Sequence, residues 1–257
     1  IMLNHGITST IDVGIAGEIG AAFRDGVLMG KIRGPRPFTG VSRITTRPAG
    51  DTGLETVLTP GRTPSSTQET RELVRAFIAG GADIVMFQDG TLPLEFYRAG
   101  FDEAKKAGMP LSTRAYGPIF GPREAAELGS NMLPHSAGIG RLVTRNPPGP
   151  GDNRNEADLF SDMDEEKAEE LIEFLVSHGL ALDPTYRNSW RGYPADWERF
   201  GEDDRNFFDT ADPNLLAYFP KVRMEAALEQ YRAPRPTGPV AERRMRGFQN
   251  SLRFHKM

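Results

Sequence analysis

The chain has no cysteine. This excludes a thiol nucleophile, a disulfide frame and a thiolate zinc site, and it leaves the compartment open. No apolar run approaches the roughly 18 residues that span a membrane. No leader peptide is visible, although the chain begins at Ile1 rather than Met, as expected if the natural start lies upstream. An excess of one charge is also missing. The 31 basic and 35 acidic residues leave a net charge of -4, too balanced to argue for nucleic acid or an anionic membrane as partner. Gly14, Gly17 and Gly20 recur at three-residue spacing, but without a Gly-x-Gly start they do not form a dinucleotide loop. A glycine-rich phosphate loop is absent late in the chain, which weighs against a phosphate-binding barrel.

What is present is ordinary for a soluble globular protein: 38% hydrophobic and 26% charged residues in 257, enough for one large domain or two small ones. The middle of the chain repeats one unit three times. An amphipathic helix closes on a glycine turn, a short apolar strand follows, and the strand ends on a polar side chain. The turns are Ala79-Gly80-Gly81, Ala107-Gly108 and Leu128-Gly129, and the polar endings are Gln88, Arg114 and His135. Strict alternation of helix and strand implies parallel strands, because a parallel pair needs a helical crossover. Polar groups at strand C-termini are where such folds place their chemistry.

Residues 7–13 read as a strand, and a helix follows over 18–29. Residues 34–43 are extended, and the Thr-, Pro- and Gly-rich stretch 46–66 is a long loop of the kind that covers a site. Ser66 and Glu69 form a capping box. Asp164 caps a helix with Ala168, Leu171, Ile172, Leu175 and Val176 inward, and Gly179 ends it. His178, beside that glycine, favours the helix C-terminus. From Tyr193 onward the chain is irregular and helical, and Arg243, Arg244, Arg246, Arg253 and Lys256 form a solvated helix face. About six strands begin near residues 7, 34, 84, 111, 132 and 180. A closed eight-strand barrel needs two more, and an unclosed parallel sheet leaves apolar edges bare. The expectation is an α/β fold: a (β/α)8 TIM barrel, incomplete here, with its first and last strands missing. One domain over 1–257 is expected, carrying a loop and helical insertion at about 186–240.

Leu3-Asn4-His5-Gly6-Ile7-Thr8-Ser9-Thr10-Ile11-Asp12-Val13-Gly14 resembles the second-strand motif of the amidohydrolase superfamily, in its imidazolonepropionase-like and prolidase-like branch. Gly34-Pro35-Arg36-Pro37-Phe38-Thr39-Gly40, Gly81-Ala82-Asp83-Ile84-Val85, Ala115-Tyr116-Gly117-Pro118 and Pro134-His135-Ser136-Ala137-Gly138-Ile139 resemble later motifs of the same family, in the same order. The resemblance implies a barrel hydrolase that binds one or two divalent metals, most often zinc. Its ligands are a His-x-His on the first strand, a lysine on the fourth, histidines on the fifth and sixth and an aspartate on the eighth. The metal activates water to attack a carbon–nitrogen bond of an amide, dipeptide or cyclic amide.

Carried onto this chain, the lysine position is Met86, the fifth-strand histidine position is Arg114, and the sixth-strand histidine is His135, the one metal ligand retained. The expected partner is a small molecule with an amide or cyclic C–N bond, with no nucleic acid and no membrane. A homo-oligomer is the expected assembly, in solution and with the cytoplasm favoured. The alternative is a catalytically impaired barrel that binds a small anionic ligand or partner without hydrolysis. Substrate contacts are expected from Arg114, Gln88, Tyr116 and Tyr186.

Each residue also has a plainer reading. His135 is a metal ligand or a satisfied strand-end histidine, and Met86 is simply core. Arg114 either bridges to Asp89 or Asp183 or binds a substrate carboxylate. Being permanently charged and without an acceptor, it is no metal ligand.

Overall fold

The computed structural model describes the chain apart from residues 1, 13–16, 47–60, 89, 118, 137, 150, 151, 153, 186–193, 211–220 and 233–236. The described strands are β1 (Ser9–Asp12), β2 (Arg36–Thr39), β3 (Arg43–Ile44), β4 (Val85–Phe87), β5 (Leu111–Thr113), β6 (Met132–Pro134) and β7 (Ala181–Asp183). The helices are α1 (Gly17–Leu28), α2 (Thr67–Ala79), α3 (Leu94–Lys106), α4 (Pro122–Glu127) and α5 (Ile139–Val143), then α6 (Glu156–Phe160), α7 (Glu165–Ser177), α8 (Pro194–Thr210), α9 (Lys221–Glu229) and α10 (Gly238–Phe254). Two compact units result: Ile1–Ile139 with Glu169–Pro184, and Gly140–Ala168 with Thr185–Met257. None of the described helices is long and apolar enough to cross a membrane.

The described strands lie in the first unit and pair with one another in parallel, in the orders β1-β2 and β3-β4-β5-β6-β7. β2 and β3 are two stretches of one extended segment, broken at Val41, whose φ is 60°. The amide of Asp83 donates to the Thr39 carbonyl at 2.7 Å, so the end of β2 is tied to the approach to β4. Neighbours in the sheet are therefore neighbours in sequence, the order that helical crossovers of one hand produce.

The repeated unit has a local cause. Gly81, Gly108, Gly129 and Gly179 each stand between a helix and the next strand with φ between 66° and 88°. A side chain in that left-handed conformation is strained, so glycine ends the helix and reverses the chain. A side-chain cap marks the start of α2, whereas α3 starts at Pro93 without one. Ser66 Oγ accepts the Glu69 amide at 3.1 Å, while the Glu69 carboxylate turns to the amide and hydroxyl of Ser65, both at 2.7 Å. The reciprocal bond of the expected capping box has moved one residue toward the N-terminus.

On the helical side of the sheet, Phe87 packs 5.4 Å from Tyr97 and 5.3 Å from Phe101, and Tyr97 stacks on Phe120 at 3.9 Å. All four rings are buried. In α7, Ala168, Leu171 and Leu175 are buried as the spacing predicts, but Val176 is 70% exposed. It lies one residue beyond the stripe and so points about 100° away from it. Asp164 Oδ1 accepts the amides of Glu166 and Lys167 at 3.1 and 3.3 Å, the expected cap. His178 Nδ1 lies 2.8 Å from the Phe174 carbonyl at the end of α7. At the sheet edge, Ile11 of β1 is 50% exposed.

In the second unit, α10 lies on α6. Phe254 meets Phe160 edge-on at 5.8 Å, and Asn250 Nδ2 donates to the Phe160 carbonyl at 2.8 Å. The basic residues of α10 are not all a solvated face. Arg243 Nε donates to Asp158 at 2.7 Å, Arg246 Nε to the Ser161 carbonyl at 3.1 Å, and Arg253 is paired with Glu165. The stripe that packs the helix also carries its arginines across the contact.

Candidate functional site

The C-terminal ends of β4, β5 and β6 carry the polar residues singled out in the sequence. The sheet ladder aligns them. The Gln88 amide donates to the Ile44 carbonyl at 2.8 Å, the Arg114 amide to the Phe87 carbonyl at 3.0 Å, and the His135 amide to the Asp183 carbonyl at 2.6 Å. Side chains alternate across a strand. Phe87 faces the helices, so Met86 faces the other way. The register then sets Arg43, Met86, Ser112, Met132 and Ala181 in one row across five strands. Met86 is only 1% exposed and Arg43 7%. The Ser112 hydroxyl is buried and makes no hydrogen bond among the described residues.

Arg114 and His135 meet above this row. Arg114 Nη2 lies 2.6 Å from His135 Nε2. A guanidinium only donates, so Nε2 accepts, and the ring is neutral with its proton on Nδ1. Burial holds the His135 pKa below the ordinary histidine value, the Arg114 charge lowers it further, and Asp183 pulls it back up. The turn after β6 is tight. His135 and Ser136 both have positive φ, 67° and 50°, conformations that non-glycine residues rarely adopt outside constrained sites. A Cβ on Gly138 would come within 2.4 Å of the Ala115 carbonyl oxygen, so this turn sits hard against the one that follows β5.

The structure therefore brings Arg114 and His135 into contact and sets Gln88 on the neighbouring strand end. Tyr116 lies two residues past Arg114, partly exposed, its amide donating to the Arg114 carbonyl at 3.0 Å. Tyr186, Trp190 and Asp89 lie outside the described residues. The plainer reading of Arg114 as a bridge to Asp183 is not realised: among the described residues Arg114 makes no ion pair, and its partner is His135. Arg43 and Ser112 escaped the sequence reading. Arg43 sits in Val41-Ser42-Arg43-Ile44-Thr45, where alternation puts it on the face opposite Ile44. That signal appears only once the pairing with β4 is known.

The residues present do not fit a divalent metal. The lone pair of His135 that a metal would need already accepts from a permanent cation. The lysine position is a buried thioether, and the fifth-strand position is the cation itself. Among the described residues no three His, Asp or Glu side chains are grouped as metal ligands require. What stands at these strand ends is cationic and donor-rich: the Arg114 guanidinium against the His135 ring, with the buried Ser112 hydroxyl in the row beneath.

No protein-family model matches the sequence, and no curated protein matches it. Similarity is found among solved structures. The ochratoxinase of A. niger superposes with a TM-score of 0.52 at 16% identity, over 99% of this chain and 51% of that one. A Bifidobacterium longum protein provisionally assigned as a prolidase gives 0.51 at 17% identity, over 90% of this chain and 48% of its own. These likenesses establish a shared fold. The chain spans about half the length of the structures it matches.

Proposed function

We propose that this chain is the larger part of a (β/α)8 barrel of the amidohydrolase superfamily. Its strand-end face recognises a small molecule by an anionic group, with Arg114 as the cation. One observation carries this reading: the Arg114 guanidinium holds the His135 ring at the junction of two adjacent parallel strands and forms no ion pair with a carboxylate among the described residues. A part-buried guanidinium without an acid is favourable only where an anion can reach it. Nη2 is committed to His135, which leaves the other N–H groups to fork onto a carboxylate. The left-handed backbone at His135 keeps the ring against the guanidinium, so little side-chain freedom is lost when a ligand binds.

Hydrolysis of a C–N bond in an amide, dipeptide or cyclic amide is the second reading, and the fold shared with ochratoxinase favours it. In that reading Arg114 orients the substrate carboxylate, and the water-activating groups come from outside the described residues. The two readings separate in one experiment. N-acetylated amino acids, which carry both a carboxylate and an amide, are titrated into the chain by calorimetry with a chelator present. They are then incubated with zinc or manganese and assayed for free amino acid. Binding that survives the chelator and is lost in Arg114→Met, without release of amino acid, supports the anion-binding reading. Metal-dependent release would replace it with the hydrolase reading. Binding untouched by Arg114→Met would remove Arg114 from both.

A further inference from the structure

The second unit holds a cleft of about 690 Å³ between α10, α6 and the segments flanking α6. Five arginines line it, against three carboxylates. None of the strand-end residues lines it, and it does not depend on their reading.

α10 builds one wall. Arg243, Arg246, Asn250 and Arg253 recur at three- and four-residue spacing, so they share one helix face. Arg243 is anchored through Nε to Asp158, and Arg246 through Nε to the Ser161 carbonyl, one helical turn apart. The terminal NH2 groups of both make no hydrogen bond among the described residues. The carboxylates of the cleft are already engaged. Asp158 holds Arg243, Glu165 holds Arg253, and Asp162 accepts from the Asn146 amide. From the opposite wall, Arg154 is drawn to Asp152 at 2.8 Å and Arg145 stands 3.8 Å from Asp164. Arg246 alone among the five is anchored only to a neutral carbonyl. Ion pairing of α10 with Asp158 of α6 and Glu165 of α7 explains Arg243 and Arg253 and leaves Arg246 unaccounted for.

We propose that this cleft binds the phosphate group of a small phosphorylated molecule. Two guanidinium groups a helical turn apart present two forks, and a carboxylate fills only one. A phosphate monoester has three acceptor oxygens and nearly two negative charges, enough for both. Because each Nε is already fixed, the forks are ordered before the anion arrives.

The test is calorimetric titration of the 257-residue chain with inorganic phosphate, set against acetate and chloride at equal ionic strength. Saturable binding of phosphate but not of acetate is expected. Arg246→Ala should weaken it about tenfold or more, the loss of charge-assisted hydrogen bonds. Arg246→Lys keeps the charge but not the fork and should recover little, whereas Lys256→Ala should change nothing. Equal response to phosphate and acetate in the unaltered chain would overturn the proposal without any variant. So would phosphate affinity unchanged in both Arg246 variants.

Discussion

Replacing Gly247 by alanine sets two physical effects against each other with opposite sign. Gly247 lies inside α10, where alanine is favoured over glycine by about 1 kcal/mol of helix propensity. A Cβ at this position, however, would stand 1.9 Å from the Ala157 carbonyl oxygen and 2.8 Å from its carbon. Neither atom is a flexible side-chain end, so α10 must retreat from α6 by roughly 1–1.5 Å to reach ordinary contact. The bonds from Asn250 to the Phe160 carbonyl, 2.8 Å, and from Arg246 to the Ser161 carbonyl, 3.1 Å, span the same contact and would both break. Each such bond contributes about 1 kcal/mol, and overpacking adds about 1–3 kcal/mol more. After the propensity gain, Gly247→Ala should lower the stability of the second unit by about 2–4 kcal/mol. Urea unfolding followed by far-ultraviolet circular dichroism reads this directly. An alanine variant as stable as the parent, or more so, would refute the close approach of the two helices.

Met86→Lys would place an ammonium group in a buried row that already holds Arg43, and should cost about 3–5 kcal/mol in urea unfolding, as an uncompensated buried charge does. A variant of unchanged midpoint would mean that the row is open to water. Ser66→Ala removes the acceptor of the Glu69 amide and should cost about 1 kcal/mol; an unchanged midpoint would mean that water caps α2 equally well. His255 is half-buried, and burial holds its pKa below the ordinary histidine value, against the pull of the Ser251 carbonyl. Its folded pKa is therefore below its unfolded one, so its contribution is complete above roughly pH 6.5 and is lost as the pH falls through the folded value. The urea midpoint should drop between pH 7.5 and 5, and His255→Phe should drop less. An identical fall in the variant would assign the effect to other groups.

Local features were legible where one rule acted alone. The glycines that end helices and the caps at Ser66 and Asp164 follow from short-range chemistry, and the structure has them. Errors came where two short-range rules competed or where a partner was far away in sequence. Apolar character places Val176 inward, but it sits one residue past the stripe. Glu69 had two backbone amides within reach and took that of Ser65. The basic residues of α10 read as a solvated face because their acids, Asp158 and Glu165, lie about 90 residues earlier.

The candidate site divides the same way. Arg114 and His135 are visible as strand endings, and the resemblance marks both Arg114 and Met86 as departures from a metal-binding pattern. By itself the sequence determined the alternation of helix and strand, and with it a parallel sheet, because those choices rest on periodicity and turn chemistry within a dozen residues. Only the tertiary structure decided that Arg114 takes the lone pair of His135, that Arg43 lies in the same row as Met86, and that Arg246 meets a carbonyl rather than an acid. Those outcomes depend on register and helix packing. These bring together groups from separate segments, and their distances are set by neighbours that no local pattern names.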